Sequence, residues 1–237
     1  VIFPVNHRQK FQPLQLPLSM ALKFMCALLQ VLALAGFLVA ALGGARPCWS
    51  IPQSEENDIP KVMNAAQYVD YGNKKYYTGH YEAARECFKR AAKQEPSSEA
   101  GKQAKIFLRS LVPRYPVTVE AEYKRNCAWQ TLHDKGMETA IPMFEACTKA
   151  YPKFEVPFYD LACIYLDSKN TGLAVGYAAK ALAINPEYSN AWLAIGNARL
   201  LEKKYPAAKN SAEKALQCNP YNHNAQKMLV YIRERMH

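Results

Sequence analysis

In the last third of the chain, apolar positions recur about every three to four residues, in runs that end at Pro152, Pro186 and Pro220, prolines 34 residues apart. This spacing predicts amphipathic helices. Each is ended by a residue that has no N–H to continue the hydrogen-bond ladder and that disfavours helix in its predecessor. The helices must pair, because one apolar stripe needs another to bury it. Two successive intervals overlay by offset, with Ala174 on Ala208, Ala181 on Ala215 and Leu182 on Leu216. A fixed period of this length predicts stacked helix-turn-helix repeats.

Upstream the same offsets return in Tyr68, Tyr71, Gly72, Tyr81, Ala84, Phe88, Ala91 and Pro96, with Thr78-Gly79-His80 as the turn between two helices. From Pro96 to Pro152 the interval is 56 residues, one period plus 22. Ala104, Ile106, Phe107 and Leu111 make that excess a single amphipathic helix over 97–112, stopped by the run from Pro113 to Pro116. The repeat ending at Pro152 is degenerate: it keeps Ala140 and Phe144 but carries Cys127, Ala128 and Cys147 where the other repeats carry apolar or small residues. Beyond Pro220, Ala225, Met228, Leu229 and Ile232 predict a last helix over 221–236, whose polar outer face caps the apolar end of the stack. The repeats are expected at about 65–98, 121–154, 155–188 and 189–222.

In the last repeat Trp192, Ile195, Gly196, Tyr205, Ala208, Ala215, Leu216 and Pro220 fall in a pattern that resembles the tetratricopeptide repeat. The resemblance implies an all-α fold, a right-handed α-solenoid of helix-turn-helix repeats over 60–237. It also implies a concave face lined by the first helix of each repeat. That face is Ala66, Val69, Asn73, Tyr76 and Tyr77 in repeat one, and Glu122, Arg125, Trp129, Leu132 and His133 in repeat two. Repeat three adds Val156, Tyr159, Cys163, Leu166 and Asp167, and repeat four Asn190, Leu193, Asn197, Leu200 and Leu201. Helical spacing alone puts each set on one face. The candidate peptide-binding residues are Asn73, Tyr76, Tyr77, Arg125, Trp129, Leu132, Tyr159, Leu166, Asn197 and Leu200.

Two readings of these aromatic and apolar residues stay open: they hold an apolar or amphipathic peptide, or they are covered by the chain's own helices, such as 97–112 and 221–236, as core. Some relatives grip a peptide's C-terminal carboxylate with basic residues in this groove. Here Val69, Val156 and Asp160 stand in slots that such a clamp would need.

Residues 1–19 hold three prolines and no helical period, and read as an unstructured extension. Met20, just ahead of Lys23 and an apolar run, marks a candidate translation start, which would leave 1–19 untranslated. Recovery of peptides from 1–19 in cells would overturn that reading. Phe24–Gly43 has Gln30 as its one polar residue and is long enough to span a bilayer. With Gly43-Gly44-Ala45 behind it, segment 20–45 fits a cleaved secretory signal as well as a retained membrane anchor. Either predicts that the repeats lie outside the cytoplasm, periplasmic, secreted or anchored to the membrane. Cys48 follows Arg46 and Pro47, which does not suit lipidation. Residues 46–59 read as a linker, with Asp58 and Pro60 at the first helix start.

Charge and motifs narrow the function. The net charge is +10, but four of the basic residues, Arg8, Lys10, Lys23 and Arg46, flank the first apolar run, and the rest intersperse with acids. An ordinary solvated surface is expected rather than a nucleic-acid stripe. The cysteines (Cys26, Cys48, Cys87, Cys127, Cys147, Cys163 and Cys218) show no C-x2-C pair, so neither a metal nor another cofactor is expected. They read as small core residues, with a disulfide among Cys127, Cys147 and Cys163 open if the domain is exported. No phosphate loop, nucleophile elbow or zinc-protease motif occurs. The expected function is a non-catalytic scaffold that binds a peptide segment or partner subunit. The alternative is a structural subunit of a cell-envelope complex whose groove its own helices cover. Membrane contact is expected through Phe24–Gly43 if it is uncleaved.

Overall fold

Asn64 opens the first repeat by accepting from the Gln67 amide while the Gln67 side chain accepts from the Asn64 amide, a reciprocal cap that satisfies two orphan donors. The computed structural model describes residues 59–236. Among them are helices α1 (Ala65–Tyr77), α2 (Tyr81–Gln94), α3 (Glu99–Ser110), α4 (Val119–Lys135) and α5 (Met137–Ala150). Then follow α6 (Glu155–Asp167), α7 (Thr171–Ile184), α8 (Ser189–Leu201), α9 (Tyr205–Cys218) and α10 (His223–Met236). The described residues contain no strand, and they form an all-α solenoid of helix-turn-helix repeats.

The pairs α1/α2, α4/α5, α6/α7 and α8/α9 pack as antiparallel hairpins. Small residues set the approach: a Cβ on Gly72 would meet the Phe88 ring at 2.7 Å, and one on Gly196 would meet Met228 Sδ at 2.8 Å. Ala84, Ala91, Ala181, Ala208 and Ala215 are fully buried where neighbouring helices touch. The turn inside repeats one, three and four has one left-handed residue, Gly79, Lys169 or Lys203. In repeat one a glycine is required, because the Asn126 side chain of α4 occupies the place of a Cβ.

The closely packed helix pairs fall into two groups, α1 to α3 and α4 to α10. Between them runs the turn 111–118. It is fixed rather than loose: Val112, Pro113 and Val117 are buried, and Arg85 donates to the carbonyls of Pro113 (2.6 Å) and Tyr115 (3.0 Å). The core is continuous across both groups, from Ile59 to Ala198. Among the described residues no helix is long and apolar enough to cross a membrane. Phe24–Gly43 and most of the linker lie outside them.

The sharpest packing demand is at Gly101 in α3, where an added Cβ would strike the Glu95 carbonyl, a backbone group that cannot swing aside. Gly101→Ala is expected to cost about 1–3 kcal/mol in urea denaturation, despite the higher helix propensity of alanine.

Candidate interaction face

The first helices α1, α4, α6 and α8 carry the candidate residues. Leu166 and Asn197 are at most 1% exposed, and Tyr76, Tyr159 and Leu200 are also buried. Asn73, Arg125, Trp129 and Leu132 are part-buried, and Tyr77 is 52% exposed. The ten do not line one open groove. Leu200 packs with Met228 and Ile232 of the last helix, and Trp129 stands edge-on to Phe144 at 5.5 Å inside repeat two. Leu132 packs on the same cluster.

Repeat one covers part of the face, through the core it shares with α6 and α8. Its α1–α2 turn rests on α4, where the Glu122 carboxylate accepts from the amides of Tyr81 (2.6 Å) and Glu82 (3.1 Å). His80 supplies no side-chain cap to α2, so an acid 41 residues away does so, favoured there by the helix dipole. One position along the α4 face, Arg125 makes a bidentate ion pair with Asp160 of α6, at 2.7 and 3.0 Å. The Arg125 guanidinium also lies over the rings of Tyr81 (5.6 Å) and Trp129 (5.4 Å). Burial works against its charge, but Asp160 overrides that and holds the arginine firmly protonated.

An aromatic cluster completes the contact. The hydroxyls of Tyr76 and Tyr188 share a hydrogen bond of 3.2 Å, and Asn190 donates to Tyr76 at 3.4 Å. Tyr76 meets Tyr81 edge-on, Tyr81 meets Phe154, and Tyr159 meets Tyr188, at centroid distances of 5.4–5.5 Å. Burial pushes the hydroxyls of Tyr76, Tyr81, Tyr159 and Tyr188 up, so all four stay neutral.

Tyr188 and Phe154 were not among the candidates. Both stand two residues after a period-ending proline, immediately before α8 and α6, and that recurring aromatic was the available signal. Glu155 is a second omission. Buried at the start of α6, its Oε1 accepts from the Arg114 amide (2.7 Å) and from Asn185 Nδ2 (3.0 Å), while its Oε2 has no hydrogen-bond partner among the described residues. Burial raises its pKa. Among the described residues no disulfide joins Cys127, Cys147 and Cys163. The described residues hold no cluster of acidic, histidine and cysteine side chains suited to a metal.

Residues 159–223 match the family model described as the tetratricopeptide repeat, from the middle of α6 to the start of α10. No curated protein matches the chain. Similar solved structures include the first such domain of Spaghetti (RPAP3) bound to an HSP90 peptide, 24% identical, covering 49% of this chain and 92% of that one, with a TM-score of 0.46. The second such domain of human RPAP3, in complex with an HSP70 peptide, is 23% identical, with coverage of 48% and 95% and a TM-score of 0.45. MamA MSR-1 is 16% identical over 73% of this chain and 86% of its own, with a TM-score of 0.42.

Asp160→Ala strands a buried guanidinium and is expected to cost about 3–5 kcal/mol in chemical denaturation, with much of the loss recovered by replacing Arg125 with Met and Asp160 with Leu together. Glu155 has the opposite sense from a salt-bridged acid. Its folded-state pKa is raised, so its contribution is fully present below the ordinary carboxylate value and is lost as pH rises through the raised one. Over that window the wild type should lose stability relative to Glu155→Gln, as read by melting temperature against pH.

Proposed function

We propose that this protein is a non-catalytic interaction scaffold, exported or held at a membrane through Phe24–Gly43, that engages a peptide segment or partner subunit on its repeat face. The observation that carries the reading is Tyr77, a large aromatic on the candidate face that stays 52% exposed while its neighbour Tyr76 is buried. Tyr76 and Tyr77 are in edge contact at 5.4 Å, so Tyr77 sits on a rigid support. A pre-ordered ring gives contact area with little further entropy to lose, which suits a binding anchor. Part-buried Asn73, Trp129 and Leu132 would extend the contact. Since Arg125 is committed to Asp160, the partner would be held by apolar and aromatic contact rather than by an acidic chain end.

The burial of Tyr159, Leu166, Asn197 and Leu200 favours a second reading, a structural subunit of an envelope complex whose groove its own helices fill.

Replacing Tyr77 by a photo-crosslinking phenylalanine derivative in cells, followed by fractionation, tests both partner and place. One discrete adduct in the exported or membrane fraction is expected, and adducts in the cytoplasm alone would refute the location. Tyr77→Ala should weaken recovery of that partner about tenfold with stability changed by less than about 0.5 kcal/mol, whereas Trp129→Ala should destabilise by about 3–5 kcal/mol. If Tyr77→Ala destabilises like Trp129→Ala, the second reading stands.

A further inference from the structure

The way repeat one is attached bears on how the face is reached. The most extensive helix-to-helix contacts lie within α1 to α3 and within α4 to α10. The groups meet through the apolar core they share and through polar contacts, among them the Arg114 amide donating to Glu155 and Asn185 donating to the Arg109 carbonyl. Glu122 caps α2, Tyr76 bonds Tyr188, Arg125 lies against the Tyr81 ring, and Arg109 pairs with Glu187 at 3.2 Å. Polar bonds such as these can be exchanged for water on opening, while the continuous apolar core between the groups, with the ring contacts of Tyr81 with Phe154 and of Phe107 with Tyr221, sets the cost of opening. One covalent segment, 111–118, joins the groups, with Pro113 and Pro116 in it.

We infer that the N-terminal block, residues 59–118, is a resident occupant of the face formed by α4, α6 and α8, and that it lifts from that face as a folded unit. While it is seated, Tyr159 and Cys163 of α6 are buried in one core with Val69 and Tyr76 of α1. Lifting it uncovers them and leaves each block's own helix contacts intact. A partner that binds deep in the face competes with this block. The opening itself is a property of the free chain and does not depend on the proposed partner.

The cysteines provide the measurement. Cys163 lies on the covered face, Cys87 inside repeat one and Cys147 inside repeat two; all three are buried free thiols. Burial raises the pKa of each, to about 11 for Cys87 and about 12 for Cys147, so each reacts slowly when covered.

The full chain is alkylated with iodoacetamide, and each cysteine is followed by peptide mass spectrometry. Cys163 is expected to react ahead of both Cys87 and Cys147. Glu122→Ala should speed Cys163 about tenfold, with Glu122→Gln intermediate and Cys87 unchanged. Tyr76→Phe, which removes one hydroxyl and keeps the ring, should accelerate Cys163 in the same selective way and serves if Glu122→Ala does not fold. Reaction of all three thiols in step, in wild type and variants, would mean that the domain opens only by global unfolding and would overturn the inference. A Cys163 rate unmoved by Tyr76→Phe and Glu122→Gln would overturn it equally. Loss of the Tyr77 adduct with selective Cys163 reactivity retained would refute the scaffold reading and leave the lifting block standing.

Discussion

The buried ion pair between Arg125 and Asp160 is the contact on which most of the arrangement depends. It joins the first helices of repeats two and three, and the same guanidinium supports the Tyr81 and Trp129 rings. A charge pair with Asp160 at 0% exposure gains little net stability over a well-packed apolar pair. What it supplies is direction. Two parallel N–H to oxygen bonds admit one orientation of α4 against α6, and that orientation sets Glu122, one helical turn earlier, against the start of α2. The turn of repeat one is thereby seated.

The 34-residue period is interrupted between repeats one and two. Were repeat one stacked on repeat two by another hairpin, its helices would continue the array and the face would run on unbroken. Instead α3 closes repeat one with a helix of its own, held where Gly101 lies against the Glu95 carbonyl. The chain then turns through 111–118. Glu155 and Asn185 fix that turn and the end of α3 onto repeats three and four, through the Arg114 amide and the Arg109 carbonyl. The buried carboxyl of Glu155 is costly to ionise, and it stands where three segments far apart in sequence must be held by a single group.

Helical periodicity made the repeat fold legible, because the prolines, the small residues and the apolar offsets are all local and all repeat. The face was legible only as a set of positions. Spacing places Tyr76, Tyr159 and Leu166 on apolar helix faces, and it says nothing about what lies over them. Their cover comes from contacts such as that of Tyr76 with Tyr188, 112 residues apart, and no period encodes such a pairing. The aromatic before each first helix, Phe154 and Tyr188, was readable as a recurrence but not as a partner. Tyr77 differed from Tyr76 by one position, 100° around the helix, and that rotation separates an exposed ring from a buried one.

The mixture of polar and aromatic bonds at this junction has a further physical meaning. Lifting repeat one exposes the apolar surface of the shared core at a cost proportional to area, and the tyrosines and the carboxylate at the junction reduce that cost. Tyrosines and a carboxylate tolerate both conditions. Their rings pack while the blocks are together, and their hydroxyls and oxygens take water when they are apart. Inside each block alanine and glycine pack against phenylalanine and methionine, alongside buried polar links such as Arg125 with Asp160 and Ser189 with the Ala215 carbonyl. The proposed opening divides the contacts into those inside each block, which stay closed, and those over the candidate binding face, which part.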